Sequence, residues 1–405
     1  MSKRTSRTFA AAVASAAAAA LIAVSASAAA ADPDPGAISV GSAPTEPGTY
    51  SVELQAANSN GDSVSFVIVG DLTRDENIRT HLQLWKADWS TEALALLPGD
   101  AGGHASGINN ALTVVGTSLA KAGGQQHAVR WTSPSTPTEL PPLPGDTVAS
   151  PAAIADNGTA VGSSWGAAAE KHAVAWPPSG APVALPPLPG DTASEAVAVN
   201  GSGTAVGYSY PAGDPAARRA VAWSPGGTVT AFDVPAGSTS SGATRITDSG
   251  VVIGAGVVIG TGGTGVGHAL VWNAAGAVAD LGAGSEAKAV NNAGTVVGGL
   301  NGQAARWAVD GTPSPLTPTT LASVATGIND QGVIVGYTSD PWPARAQLYA
   351  QRWNPDGSVL ALPAWSVHFP YAMPSFITDS GIVLGELLLR GPAGYGRPLT
   401  IRWTM

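Results

Sequence analysis

Eight of the chain's twelve tryptophans recur along it as a repeat: Trp85, Trp131, Trp176, Trp223, Trp272, Trp307, Trp353 and Trp403 lie 46, 45, 47, 49, 35, 46 and 50 residues apart. A period of this length marks a stack of similar supersecondary units, none of which buries its apolar surface alone. Two further landmarks divide each unit. An aliphatic residue follows the first seven tryptophans, at Ile108, Ile154, Val199, Ile246, Val290, Ile328 and Ile377. Eight residues after each comes a glycine: Gly116, Gly162, Gly207, Gly254, Gly298, Gly336 and Gly385. Fixed spacing inside a unit of variable length implies two paired strands, with the variation confined to other connections.

The turns name themselves chemically. Four residues after the aliphatic landmark, six of seven units carry Gly, and Leu112 is the exception. A hairpin whose loop ends in a left-handed residue favours Gly there, because a Cβ is penalised at positive φ. Leu97-Pro98-Gly99-Asp100, Leu143-Pro144-Gly145-Asp146 and Leu188-Pro189-Gly190-Asp191 place Pro and Gly in the centre of type II turns. Each unit is thus expected to hold four short strands, with no helical periodicity between them. Units of about 45 residues with four antiparallel strands suit the blades of an all-β propeller, whereas the rungs of a β-solenoid are shorter.

The ends bear on the blade count. The chain stops just after the strand Leu399 to Trp403, and the stretch from Ala57 to Ser65 aligns with the hairpin, placing Gly61 at its turn. If these halves complete one another, the ring has eight blades closed by its N- and C-terminal strands. Seven is the alternative.

Gly (51 residues) and Pro (32) therefore read as punctuation rather than disorder, since 44% of residues are hydrophobic and can fill a core. With no Cys, disulfides, thiolate metal sites and a cysteine nucleophile are excluded. The first residues combine Lys3, Arg4 and Arg7 with an Ala-rich apolar stretch and small residues at Ala26-Ser27-Ala28, the pattern of a signal peptide over 1–31. A Pro/Gly linker is expected over 32–49, and a single propeller domain over 50–405. Removing the three basic residues takes the formal charge from −9 to −12, which disfavours nucleic acid as a partner. No later segment is apolar for long enough to span a membrane. The expectation is a secreted monomer.

The unit written by His127-Ala128-Val129-Arg130-Trp131, Leu143-Pro144-Gly145-Asp146 and Ile154-Ala155-Asp156-Asn157-Gly158 resembles the bacterial extracellular HAF-repeat family, named for a His-Ala-Phe tripeptide. Here the tripeptide departs to His-Ala-Val (His127, His172) or His-Ala-Leu (His268). The resemblance covers residues 81 to 403. It implies export, but no reaction, cofactor or catalytic residue.

Several motifs invite chemistry. His81, His127, His172 and His268 each precede a repeat Trp by four residues, but Arg219, Gln303, Tyr349 and Leu399 hold the same place elsewhere. Local hydrogen bonding explains them better than a shared metal. Gly162-Ser163-Ser164-Trp165-Gly166 matches a nucleophile elbow in letters, without the helix that motif requires. Asp-rich turns such as Asp156-Asn157-Gly158 lack the alternating ligands of a calcium loop. The acids Glu170, Glu195, Glu286 and Glu386 are scattered without an evident pair. No cofactor or metal is expected.

One pattern points outward. The connection after the second hairpin strand carries Trp165, Tyr208, Tyr210, Tyr337, Trp342 and Tyr395. Equivalent connections of a propeller emerge on one face, where aromatic rings suit sugars or a protein partner. The reading is a non-catalytic binding or scaffolding module for an extracellular glycan or envelope protein. Its alternative is an extracellular hydrolase or lyase with an active site in the channel.

Overall fold

The protein is described by a computed structural model over residues 38–43, 45–71, 76–120, 126–168, 170–211, 213–259, 265–316, 321–339, 348–363, 371–390 and 396–404, without the side chains of 71, 76, 77, 389, 390, 396 and 397. The signal peptide expected over 1–31 lies outside the described residues. These contain strands, one short 3₁₀ turn at Pro215–Ala217, and no α-helix.

Six sheets hold four strands each, paired antiparallel in sequence order; one is Val148–Ile154, Ala160–Trp165, Lys171–Trp176 and Val183–Leu185. A larger sheet joins the two ends of the chain, and it divides naturally. Thr49–Ala57, Ser63–Asp71, Glu76–Trp85 and Thr91–Leu94 form one set of four; Ala372–Ile377, Val383–Arg390 and Gly396–Thr404 form three quarters of another. Ser39–Ser42 supplies the missing fourth strand by pairing antiparallel with Gly396–Thr404. Between the two sets runs a parallel contact with one register pair, Val52 with Leu399. The described strands thus fall into eight sets, numbered here first to eighth from the one beginning at Thr49.

The last set is closed by an N-terminal and a C-terminal strand, as expected, but the N-terminal piece is not the expected one. The hairpin around Gly61 belongs to a complete first set of its own, and the strand that finishes the last set comes from within 32–49, the segment read as linker. An exposed edge of Gly396–Thr404 would offer unpaired backbone groups, and Ser39–Ser42 satisfies them.

The first strands of the sets line one cavity of about 370 Å³, with residues from all eight, Asn58, Asn109, Ala155, Asn200, Thr247, Asn291, Asn329, Phe376, Ile377 and Asp379 among them. That common lining closes the sheets into a propeller. The core lies between sets: Val161, Ala173 and Leu185 of the third pack with Ala196, Ala205, Val221 and Trp223 of the fourth. All eight repeat tryptophans are at most 3% exposed. Burying a ring of roughly 200 Å² is worth on the order of 5 kcal/mol before entropy, which explains a Trp in every unit.

Both turn expectations hold. Gly158, Gly203, Gly250, Gly294, Gly332 and Gly381 have φ between 76° and 87°, and Leu112 takes the same conformation at 61°. Gly99, Gly145 and Gly190 are also left-handed, and the Asp after each donates its N–H to the preceding Leu carbonyl.

The third landmark has a different cause. Each first strand carries a β-bulge, as between Pro151 and Ala153, which pushes a carbonyl towards the second strand. A Cβ on Gly162 would stand 2.1 Å from Ser150 O, and on Gly298 1.8 Å from Glu286 O. The first set is the exception, with Ser65 in that register opposite Leu54.

Candidate functional site

Each first strand runs from its Pro-Gly turn, where the set has one, to the Asn/Asp hairpin, and the second strand returns. The ring therefore has two unlike faces. On the hairpin face stands a belt of asparagines. Asn58, Asn109, Asn200, Asn291 and Asn329 accept N–H groups of their own turns through Oδ1, and donate through Nδ2 to the equivalent carbonyl of the next set: Asn109, Ala155, Thr247, Asn329 and Thr378. The amide separates the two roles on two atoms, so it reaches both turns at once; a carboxylate would lack the donor, and a hydroxyl has its one donor and its acceptor on a single short-reaching oxygen. Thr247 and Thr378 cap their own turns only.

The opposite face carries the aromatics. Trp165, Tyr208, Tyr210 and Tyr337 lie within the second strands rather than on the loops beyond them. Trp342 and Tyr395 lie outside the described residues. Three of the four are brought into one neighbourhood, on the third and fourth sets, while Tyr337 stands on the seventh. Tyr208 and Tyr210 have ring centroids 6.1 Å apart, and the Arg218 guanidinium lies 5.1 Å from the Tyr208 ring. The Lys171 ammonium is 5.8 Å from the Trp165 ring and 2.7 Å from Glu195 Oε2, while the Tyr210 hydroxyl donates to Glu195 Oε1 at 3.2 Å.

Glu195 thus ties an aromatic pair on its own set to a Lys and a Trp on the preceding one. Burial, and then the Glu195 carboxylate, push the Tyr210 phenol far above its ordinary pKa; the same causes raise Tyr208, against the pull of Arg218. Both phenols stay protonated at neutral pH and serve as donors. Tyr210 is 9% exposed, so its ring supports the cluster while Trp165 and Tyr208 offer more of their surface. Sequence reasoning had Glu195 as an isolated acid. The missing signal was Lys171, because the pair forms only where two sets meet.

The other candidates resolve into scaffold. His127, His172 and His268 place Nδ1 on Asp100, Asp146 and Asp280 at 3.2, 3.0 and 2.8 Å, and His81 lies 3.8 Å from Glu46. Ser164, His172 and Asp146 do come together, but not as a relay. The Ser164 hydroxyl donates to Asp146 Oδ2 at 2.6 Å, and His172 sits on the same carboxylate. Among the described residues no imidazole stands on the hydroxyl, as the Ser-His-Asp relay requires. The fourth set repeats the arrangement with Ser209, Asp191 and Arg219. An Arg in place of His means the site calls for a donor to a buried Asp.

Asp156 and Asp330 accept from Asn110 and Asn292 across set boundaries. Among the described residues, no three His, Asp or Glu side chains cluster closely enough to hold a metal ion.

No family model matches the chain, and no curated protein does. Solved structures do. The chain is similar to dipeptidyl peptidase 4 of Porphyromonas gingivalis with a TM-score of 0.53 and 8% identity, covering 84% of this chain and 64% of that one. Puromycin hydrolase gives 0.49 at 15% identity, over 84% and 58%. A catalytically inactive virginiamycin B lyase from Staphylococcus aureus with quinupristin gives 0.43 at 11%, over 91% and 100%. At such identities the likeness is one of fold.

Proposed function

We propose that the protein is an exported, eight-bladed propeller of the HAF-repeat type that acts as a non-catalytic binding module, holding an extracellular glycan or envelope protein on the face that carries Trp165 and Tyr208. The observation that supports this reading is the cluster of Trp165, Tyr208, Tyr210, Lys171, Glu195 and Arg218. It sets aromatic surface for a sugar ring or apolar side chain beside charged donors and acceptors for its hydroxyls. The Ser, His and Asp residues nearby are engaged with one another, which favours binding over nucleophilic chemistry.

The test is retention of the purified protein on cell-wall polysaccharide and on secreted proteins of its producer. Replacing Trp165 and Tyr208 together with Ala is expected to weaken retention at least tenfold, with the melting temperature little changed. Equal retention of the double variant would sink the reading.

An extracellular hydrolase or lyase is the second reading. Propeller enzymes are among the solved structures of this fold, and Glu195 with its hydrogen-bonded Tyr210 is the carboxylate such chemistry would use. Turnover on a polysaccharide panel, abolished by Glu195→Gln, would establish it instead.

A further inference from the structure

The cavity on the hairpin face has a charge order that the belt does not explain. Four carboxylates stand at its rim, Asp156, Asp248, Asp330 and Asp379, and a guanidinium, Arg245, lines it within. Each rim carboxylate accepts hydrogen bonds from the preceding set: Asp156 from Asn110, Asp248 from Gly201, Asp330 from Asn292 and Asp379 from Asp330. Among the described residues none of the four is in an ion pair, and each carboxylate has further lone pairs to offer.

Arg245 follows the bulge of the fifth set, paired with Ile253. Six of the seven equivalent positions hold Ala or Gly, and the seventh is Phe376, which also lines the cavity. Small residues suit the place because neighbouring first strands run close: a Cβ on Gly107 would lie 3.2 Å from Ile154 N, and one on Gly327 3.5 Å from Phe376 Cα.

A long cation there has one structural contact that Ala would lack, and it engages only part of the guanidinium. Its Nε donates to Lys288 O at 3.0 Å, and among the described residues its four terminal N–H groups meet no acceptor. Water reaches the side chain, yet protein surrounds it, and that crowding lowers its pKa. An exposed guanidinium with free N–H groups inside a cavity favours an occupant that brings an anion to it, because charge-assisted hydrogen bonds are the stronger ones.

We propose that this cavity binds a small zwitterion, an amino acid or short peptide with free ends, its carboxylate on the Arg245 guanidinium and its ammonium among the rim aspartates. A simple anion would have to pass four carboxylates, and a simple cation would leave Arg245 unmatched. Arg245 and Asp248 are three positions apart, so their Cα atoms lie within about 10 Å, a span of the size of a tripeptide. Phe376 and Ile246 supply apolar wall for its side chains. The site is on the other face from the aromatic cluster and does not depend on it.

Calorimetric titration of the full chain with Ala-Ala-Ala, its N-acetyl form, its C-terminal amide, free alanine and sodium acetate provides the test. The free-ended tripeptide or alanine should bind at least tenfold more tightly than either blocked peptide or acetate, and which of the two binds better identifies the ligand as peptide or amino acid. Arg245→Gln should abolish that binding, Arg245→Lys should weaken it, and Asp248→Asn should weaken the free-ended ligand but not the acetylated one. Replacing Trp165 and Tyr208 should leave it unchanged. Blocked peptides binding equally well, Arg245→Gln or Arg245→Lys without effect, or no heat from any zwitterion would overturn the proposal.

Discussion

The joint between the second and third sets and the seam between the eighth and first solve the same packing problem with different parts. At the interior joint, Trp176 donates to Pro141 O, Asn109 to Ala155 O, and Ser106 to Pro151 O. Arg130 reaches across to Gly158 O, Trp176 O and Pro177 O. At the seam the Arg persists and most of the rest is replaced. Arg402 donates to Gly61 O, Lys86 O and Ala87 O, with its guanidinium 4.1 Å from the Trp85 ring and 5.0 Å from Trp89. The Trp85 indole N–H finds no acceptor among the described residues, and Thr378 offers no amide to Asn58.

What the seam has instead is the parallel backbone contact of Val52 with Leu399, a hydrogen bond between Ser65 and Thr400, and Leu54 N donating to Glu386. Joints between consecutive sets are held at short range by the chain itself, so side chains suffice. The seam joins residues more than 300 apart, and closing so long a loop costs entropy that more extensive pairing must offset.

The comparison breaks most sharply at the two arginines. Arg402 is fully buried and Arg130 is 8% exposed. Replacing a buried, hydrogen-bonded Arg by Met leaves several carbonyls without donors, a loss of about 3–5 kcal/mol. Arg402→Met should therefore cost more than Arg130→Met in urea unfolding. An equal or smaller loss would mean that the seam depends on its Arg no more than the interior joint does.

Second in size is the bulge. Gly162→Ala forces a Cβ to within 2.1 Å of Ser150 O and should destabilise by about 2–3 kcal/mol. Ser65→Ala, at the equivalent place in the first set, loses a hydrogen bond and should cost nearer 1 kcal/mol. If thermal melts rank them the other way, the first set carries the stricter geometry.

The smallest effect concerns Glu386. Burial pushes its pKa up, with Glu53 adding and the Leu54 hydrogen bond opposing. The folded state then binds more protons than the unfolded one between the ordinary carboxyl value and the raised one, so stability falls as pH rises through that window. Glu386→Gln should flatten this decline, coinciding with the parent protein in acid and exceeding it at neutral pH. Parallel curves across the whole range would remove Glu386 from the seam's energetics.

Much of this was legible in residue types. Gly158 and Gly145 announced their turns because left-handed φ is a local requirement. Trp131 announced its strand because each unit must bury an equivalent ring. Gly162 was visible as a landmark but not as a cause, since its constraint comes from a bulge on the opposing strand. The strand Ser39–Ser42 passed for linker because its pairing partner lies at the far end of the chain.

The site follows the same division. The aromatics were found as a set, but only contact between sets separated Trp165, Tyr208 and Tyr210 from Tyr337 and gave them Lys171 and Glu195. Period, turn chemistry and strand content are properties of short stretches, so residue types alone carry them. Which side chains meet across the joints, how the ring closes, and that Arg245 stands among small residues within an acidic rim depend on eight separate stretches arriving at one axis, and they exist only once the chain has folded.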